Sequence, residues 1–268
     1  MSGRIAAAFE RLRVEGRAGF VPFIMAGDPD LGVTRDLLRA AVDAGADLIE
    51  LGVPFSDPMA DGPALQRSAE RALAAGTTLT GVLALVAELR KESSIPVVLF
   101  GYANPFLRYG AERLARDAAA SGANGVLCVD LPPEEADDLE PALTAAGLDM
   151  IFLLAPTSDR TRLDRVAARA RGFVYYVSIT GTTGAAAPDV GQVAAMVTTV
   201  RERVGLPVGV GFGITGPEQA ASVARIADAV VVGSALMQLV ERHPGAALVP
   251  AARDFLSGLA AAVHGARA

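Results

Sequence analysis

Eight short runs rich in aliphatic and β-branched residues recur along the chain, at residues 20–25, 48–53, 96–100, 125–129, 150–154, 173–178, 207–211 and 229–232. Between them lie alanine-rich stretches with apolar positions at helical spacing, at 32–44, 80–92, 111–121, 134–146, 160–170, 189–204 and 217–225. A last helical region runs from 235 to the end. Strands that alternate with helices predict βα units and a parallel sheet. Runs that stay apolar, with no polar alternation, predict a sheet covered on both faces. No composition shift or Ser/Gly-rich linker divides the chain, so residues 1–268 read as one domain. Eight units in that length favour an α/β fold of the (β/α)8 TIM barrel kind over an open doubly wound sheet. Ahead of the first run, Ile5, Phe9 and Leu12 sit at spacings of four and three among Arg and Glu. That spacing predicts an extra amphipathic N-terminal helix and not a signal peptide.

The connections differ in kind. Ala44-Gly45-Ala46, Ser121-Gly122-Ala123 and Ala146-Gly147-Leu148 are short helix ends. Glycine there accepts the left-handed conformation that caps a helix. The segments 54–63 and 179–188, after the second and sixth runs, are longer and punctuated by Gly and Pro. In a barrel such loops form the C-terminal face that carries the active site.

Composition narrows the classes. The chain is 51% hydrophobic with a net charge of −6, which argues against nucleic acid or an anionic membrane as its main partner. No stretch of about 18 residues looks free of charged and polar breaks, so no membrane span is expected. The single cysteine, Cys128, lies in an apolar run, cannot form an internal disulfide, and reads as a buried thiol. His243 and His264 lie in helical context without a catalytic or metal-binding neighbour motif, and both read as plain surface residues. The chain is expected to be cytoplasmic and to use neither histidine nor metal.

Glu50 interrupts the second run, between Ile49 and Leu51. Burying a carboxylate without a partner is costly and raises its pKa. Glu50 is therefore either a general acid and base tuned toward neutrality or half of an ion pair with an unseen Lys or Arg. Asp57 and Asp61 follow on the loop. Asp57-Pro58 and Asp61-Gly62-Pro63 are also ordinary turn sequences, with Pro63 placed as the first residue of a helix. Both readings of these two residues stay open on pattern alone.

Three glycine-bearing segments follow the last three runs: Gly181-Thr182-Thr183-Gly184, Gly211-Phe212-Gly213-Ile214 and Gly233-Ser234. Glycines admit an anion close to backbone amides, and the loops after strands seven and eight of a barrel often bind phosphate. The letters of Gly211 to Gly216 also fit the dinucleotide fingerprint G-x-G-x-x-G. That motif belongs after a first strand, with an acid on the next strand, and here neither condition holds. Tyr175 and Tyr176 are adjacent on the sixth run, so alternation sends one inward and one outward. Phe23, Phe100, Leu127, Phe152 and Phe212 lie near strand ends, where they form either a pocket for an aromatic ring or a layer of core.

These segments together resemble the tryptophan synthase alpha subunit family. The likeness rests on Phe20-Val21-Pro22-Phe23 with Gly27-Asp28-Pro29, on Glu50 to Pro58 running into Ala60-Asp61-Gly62-Pro63, and on Tyr102-Ala103-Asn104-Pro105. It continues through Asp130-Leu131-Pro132 and the three glycine segments, in the family's order from residue 20 to about 240. The resemblance implies a (β/α)8 lyase that splits indole-3-glycerol phosphate into indole and glyceraldehyde 3-phosphate. It implies Glu50 as the proton-transfer group and Asp61 as the acceptor of the indole N–H. It implies Tyr175 as a pocket residue near Glu50, and Gly184, Gly213, Gly233 and Ser234 as the phosphate cradle. Phe23, Phe100, Leu127, Thr183 and Phe212 complete the candidate substrate-binding set. It further implies no cofactor on this chain, pyridoxal phosphate belonging to a beta partner, and an α2β2 complex in which indole passes directly to that partner. Met59 stands where a Leu is expected, and Ile179 where some members carry Arg. Three other readings share part of the pattern. They are a lyase that works without a beta subunit, a sugar-phosphate isomerase or epimerase, and a non-catalytic phosphate binder that regulates a partner.

Overall fold

The computed structural model describes residues 3–177, 190–211 and 213–267. Nine strands form a single sheet in the order β5-β4-β3-β2-β1-β9-β8-β7-β6, and every pairing is parallel. They are β1 Gly19–Met25, β2 Ile49–Gly52, β3 Val97–Gly101, β4 Gly125–Cys128, β5 Asp149–Ile151, β6 Leu153–Leu154, β7 Val174–Val177, β8 Val208–Gly211 and β9 Ala229–Val232. The order begins on β5 and ends on β6, two halves of the fifth run separated only by Phe152. The sheet therefore closes on itself as an eight-stranded α/β barrel, as expected from the alternating pattern.

The helices are α1 Arg4–Glu15, α2 Leu31–Asp43, α3 Pro63–Ala74, α4 Leu79–Leu89, α5 Ala103–Tyr109, α6 Ala111–Ser121, α7 Glu140–Ala145, α8 Arg160–Arg169, α9 Val190–Val204, α10 Pro217–Ala224, α11 Ser234–Arg242 and α12 Leu248–His264. Local chemistry sets their ends. Asp30 and Asp159 cap α2 and α8 by accepting the Val33 and Arg162 amides, each at 2.8 Å. Gly122 closes α6 with φ +87°. The stretch expected as one helix at 134–146 is instead a 3-10 turn, Pro133–Asp138, followed by α7. Pro141 has no amide to continue a helix from upstream, and it starts the new one.

Side chains alternate between two cores. Val21, Leu48, Val98, Leu127, Ile151, Phe173 and Val231 fill the barrel interior together with Ile5, Phe9 and Leu12 of α1. The N-terminal helix is thus a plug, with the Phe9 ring 5.5 Å from that of Phe173. Residues one step along each strand, such as Ile49, Leu51, Leu99, Val126 and Val174, face the helical layer. Cys128 belongs to that outer core as a buried thiol, as expected.

One expectation fails here. His264 is not a plain surface residue, because its Nε2 lies 2.9 Å from the buried Asp47 carboxylate. The segment Gly245–Arg267 is, by length and composition, apolar enough to cross a membrane, although Arg253, Asp254 and Ser257 interrupt it. Its charges are few, and alanines supply much of its apolar length. In the fold α12 packs on α2, α10, α11 and β1 and buries Leu248, Ala252, Leu256, Leu259, Ala260 and Val263.

Candidate active site

Leu48 faces the barrel interior, so Glu50, two residues on, points the same way. It is level with Phe23 on β1 and Val98 on β3. Only 1% of Glu50 is exposed, and among the described residues neither carboxyl oxygen has a hydrogen-bond partner. The ion-pair reading of Glu50 therefore has no cation to support it. Burial alone pushes this carboxyl up to about 8, so near neutral pH the acid form predominates.

Asp61 sits on the β2–α3 loop, half-buried. Desolvation raises its carboxyl to about 6, against an opposing hydrogen bond from the Tyr102 phenol. Tyr102 precedes α5, is itself buried, and accepts the Ala60 amide at 3.1 Å. Gln66 of α3 donates to the Asp61 carbonyl at 2.9 Å. Deeper in, Arg71 of α3 grips the buried Asp28 carboxylate through two bonds of 2.7 Å, and Ser68 donates to it as well. The helix that begins just after Asp61 is thus tied to the β1–α2 loop. Asp57, by contrast, is exposed and accepts a hydrogen bond from Ser56 within its turn, so the turn reading fits it. Pro63 is the first residue of α3, as expected.

Of the tyrosine pair, Tyr175 faces inward and Tyr176 belongs to the outer core. Burial, then the nearby charges of Glu50 and Asp61, raise the Tyr175 phenol well above its ordinary value. The three ionisable groups therefore share one region. The Phe100 ring packs edge-on against Phe23 at 5.0 Å and against Tyr175 at 6.3 Å. Leu127 lies in the same interior cluster. Phe152 does not join them, because it follows the inward-facing Ile151 and alternation turns it to the outer layer. Glycines make the room: a Cβ on Gly52 would come within 2.5 Å of Phe23 Cζ, and one on Gly211 within 2.1 Å of the Tyr175 hydroxyl. Met59 is 91% exposed on the loop that bears Asp61.

At the expected phosphate end, β8 and β9 are neighbours, with Gly211 level with Val231. Gly213 follows β8 with φ +61°, a conformation that favours glycine. Gly233 and Ser234 form the start of α11, whose first amides lack helical partners and carry positive partial charge. Thr183, Gly184, Ile179 and Phe212 lie outside the described residues. Among the described residues no three His, Cys, Asp or Glu side chains converge to hold a metal. Tyr102 and Asp28 were not singled out as site residues from sequence; a buried Tyr at a strand end and an Asp next to Pro were their only signals.

Known proteins share this sequence pattern and this fold. A family profile described as Tryptophan synthase alpha chain matches residues 9–256. The tryptophan synthase alpha chain of Citrifermentans bemidjiense is 54% identical over 256 residues, covering 96% of each chain. That of Geobacter sulfurreducens is 53% identical over 260 residues, covering 97% of this chain and 98% of its own. The crystal structure of tryptophan synthase subunit alpha from Legionella pneumophila superposes with a TM-score of 0.91 at 38% identity, covering 98% of this chain and 99% of the other. The Mycobacterium tuberculosis tryptophan synthase structure in space group F222 gives 0.90 at 37% identity, with 98% and 99% covered. A family profile over most of the chain and relatives more than half identical over nearly its full length place this barrel in the tryptophan synthase alpha chain family, the lyase subunit that cleaves indole-3-glycerol phosphate.

Proposed function

We propose that Glu50 and Asp61 carry the chemistry by which this lyase cleaves indole-3-glycerol phosphate to indole and glyceraldehyde 3-phosphate. The observation that carries the reading is the unpaired, buried Glu50 carboxyl, raised to about 8. A carbon leaving group on an aromatic ring must first become an electron sink. Glu50, in its acid form, gives a proton to indole C3, which interrupts the ring's aromaticity. The resulting carboxylate takes the proton of the neighbouring side-chain hydroxyl. That oxygen becomes the aldehyde oxygen of glyceraldehyde 3-phosphate, the C–C bond breaks, and its electron pair restores the indole ring. One proton enters at carbon and one leaves from oxygen, so Glu50 ends as it began.

Asp61, raised only to about 6, is largely ionised near neutral pH. It accepts the indole N–H and offsets the positive charge that protonation at C3 places on the ring. Two carboxyls with different surroundings thus hold different protonation states, a common device for running acid and base chemistry at one pH. Tyr175, Phe23, Phe100 and Leu127 form the wall for the indole, with Thr183 and Phe212 assigned to it from their places in the chain after the sixth and seventh runs. Gly213, Gly233 and Ser234, with Gly184, hold the phosphate.

The family's partner is a beta subunit, which carries the pyridoxal phosphate. We assign an α2β2 assembly with direct transfer of indole, no cofactor on this chain, one domain over residues 1–268, and a cytoplasmic location. Indole release by wild type and Glu50→Gln, with and without a tryptophan synthase beta subunit, tests the reading. The expected result is slow turnover by wild type alone, acceleration by the beta subunit, and a loss of roughly a thousandfold or more in the variant. Fast turnover indifferent to the beta subunit would favour a stand-alone lyase. Absence of indole under every condition would overturn the assignment.

A further inference from the structure

A cavity of about 530 Å³ opens at the N-terminal end of the barrel, opposite to Glu50 and Asp61. The plug helix α1 forms one wall with Phe9 and Leu12, and the segment leading into β8 forms another with Leu206 and Pro207. Its size lies in the usual range for small-molecule sites, and no step of the cleavage uses it. Its charges are uneven: four arginines, Arg13, Arg17, Arg201 and Arg267, stand against Glu10 and Asp228. Arg13 is taken by Glu10, Arg17 by Asp47 and Glu15, and Arg201 by Asp228 at 3.0 Å. Arg267 differs. Its Nε donates to the Ala224 carbonyl at 2.8 Å and its Nη2 to the Ala227 carbonyl, and among the described residues it has no carboxylate partner. A cation held by neutral acceptors beside an apolar wall keeps most of its charge for a ligand.

We propose that this cavity is a second ligand site, for a small amphipathic monoanion. The apolar body of the ligand lies on Phe9, Leu12, Leu206 and Pro207, and its acid group meets Arg267. The one arginine left without a carboxylate, Arg267, selects an anion, and the apolar floor selects against a bare inorganic one, which has nothing to place there. The site is separate from the phosphate cradle by the full depth of the packed interior, with the Phe9 and Phe173 rings between.

Titration of the whole chain with 1-anilinonaphthalene-8-sulfonate, an aryl monoanion whose fluorescence rises in apolar surroundings, tests this directly. The expected result is one saturable site that 3-phenylpropionate competes for and indole does not. Arg267→Gln should weaken binding roughly tenfold or more, the usual effect of losing a charged hydrogen bond. Leu206→Glu, at a half-buried loop position, should weaken it by a similar factor through like charge. It keeps the test open if Arg267→Gln unfolds, which circular dichroism would reveal. Equal affinity in wild type and folded variants, displacement by indole, or indifference to 3-phenylpropionate would each overturn the proposal.

Discussion

Glu50 is costly to the fold whatever it does for the reaction. Its carboxyl rises from 4.5 to about 8 on burial, so the folded chain holds a proton that the unfolded chain releases between those values. Stability is therefore full below the lower value, falls as pH rises through the window, and levels off above it. The shift corresponds to several kcal/mol at its limit. Glu50→Gln has no charge to bury. It is expected to melt several degrees above wild type at about pH 9, with the gap shrinking toward pH 5. Thermal scans at the two pH values check this. Equal melting temperatures at both would mean that the carboxylate has a partner after all. The same variant is expected to be nearly inactive, so a more stable and less active protein is the signature of a residue kept for chemistry.

At the level of strands and loops, the site depends on bare backbone as much as on side chains. Gly52 ends β2 two residues after Glu50, and a Cβ there would stand 2.5 Å from Phe23 Cζ and 3.1 Å from Met25 Sδ. Phe23 cannot swing away freely, because its ring is packed edge-on against Phe100. Gly52→Ala should therefore cost about 1–3 kcal/mol, the usual penalty for overfilling a packed interior, and should lower activity by moving the wall beside Glu50. Denaturant unfolding together with indole release would show both losses; a neutral result in each would refute the packing argument. The eight runs were legible in sequence because parallel strands buried on both faces have no polar interruptions, and Glu50 stood out for the same reason. The break at Phe152 and helices α3 and α5 were less visible. The seven residues of α5 carry too short a period, and α3 announced itself only through Pro63. Tyr102 could not be read as a partner of the Asp61 loop at all, since 42 residues separate it from Ala60 and only the pairing of β2 with β3 brings them together.

Closure of the whole molecule has its own anchor at the opposite end from the chemistry. Asp47, just before β2, accepts from Arg17 twice, at 2.8 and 2.9 Å, from Arg11 at 2.9 Å and from the Phe20 amide at 3.0 Å, and lies 2.9 Å from His264 Nε2. One buried carboxylate therefore ties the plug helix α1, strand β1 and the end of α12 to the barrel floor. None of this was visible in sequence, because the side-chain partners lie 30, 36 and 217 residues away. It also gives the apolar segment Gly245–Arg267, which contains α12, a fixed polar attachment within the fold. Burial alone would raise the Asp47 carboxyl, but His264, Arg17, the Phe20 amide and Arg11 outweigh it and hold the group well below its ordinary 3.8. A lowered pKa stabilises the fold fully above the unfolded value, and that stability drains away as pH falls below 3.8 toward the folded value. Asp47→Asn leaves two arginines at the floor without their carboxylate and is expected to cost about 3 kcal/mol at pH 7. The cost should shrink as pH falls below about 4, where wild type begins to lose the same interaction. Urea midpoints for wild type and variant from pH 7 down to pH 3 measure it. A penalty that stays constant across that range would mean that the Asp47 charge does not hold the two ends of the chain together, and that shape alone does.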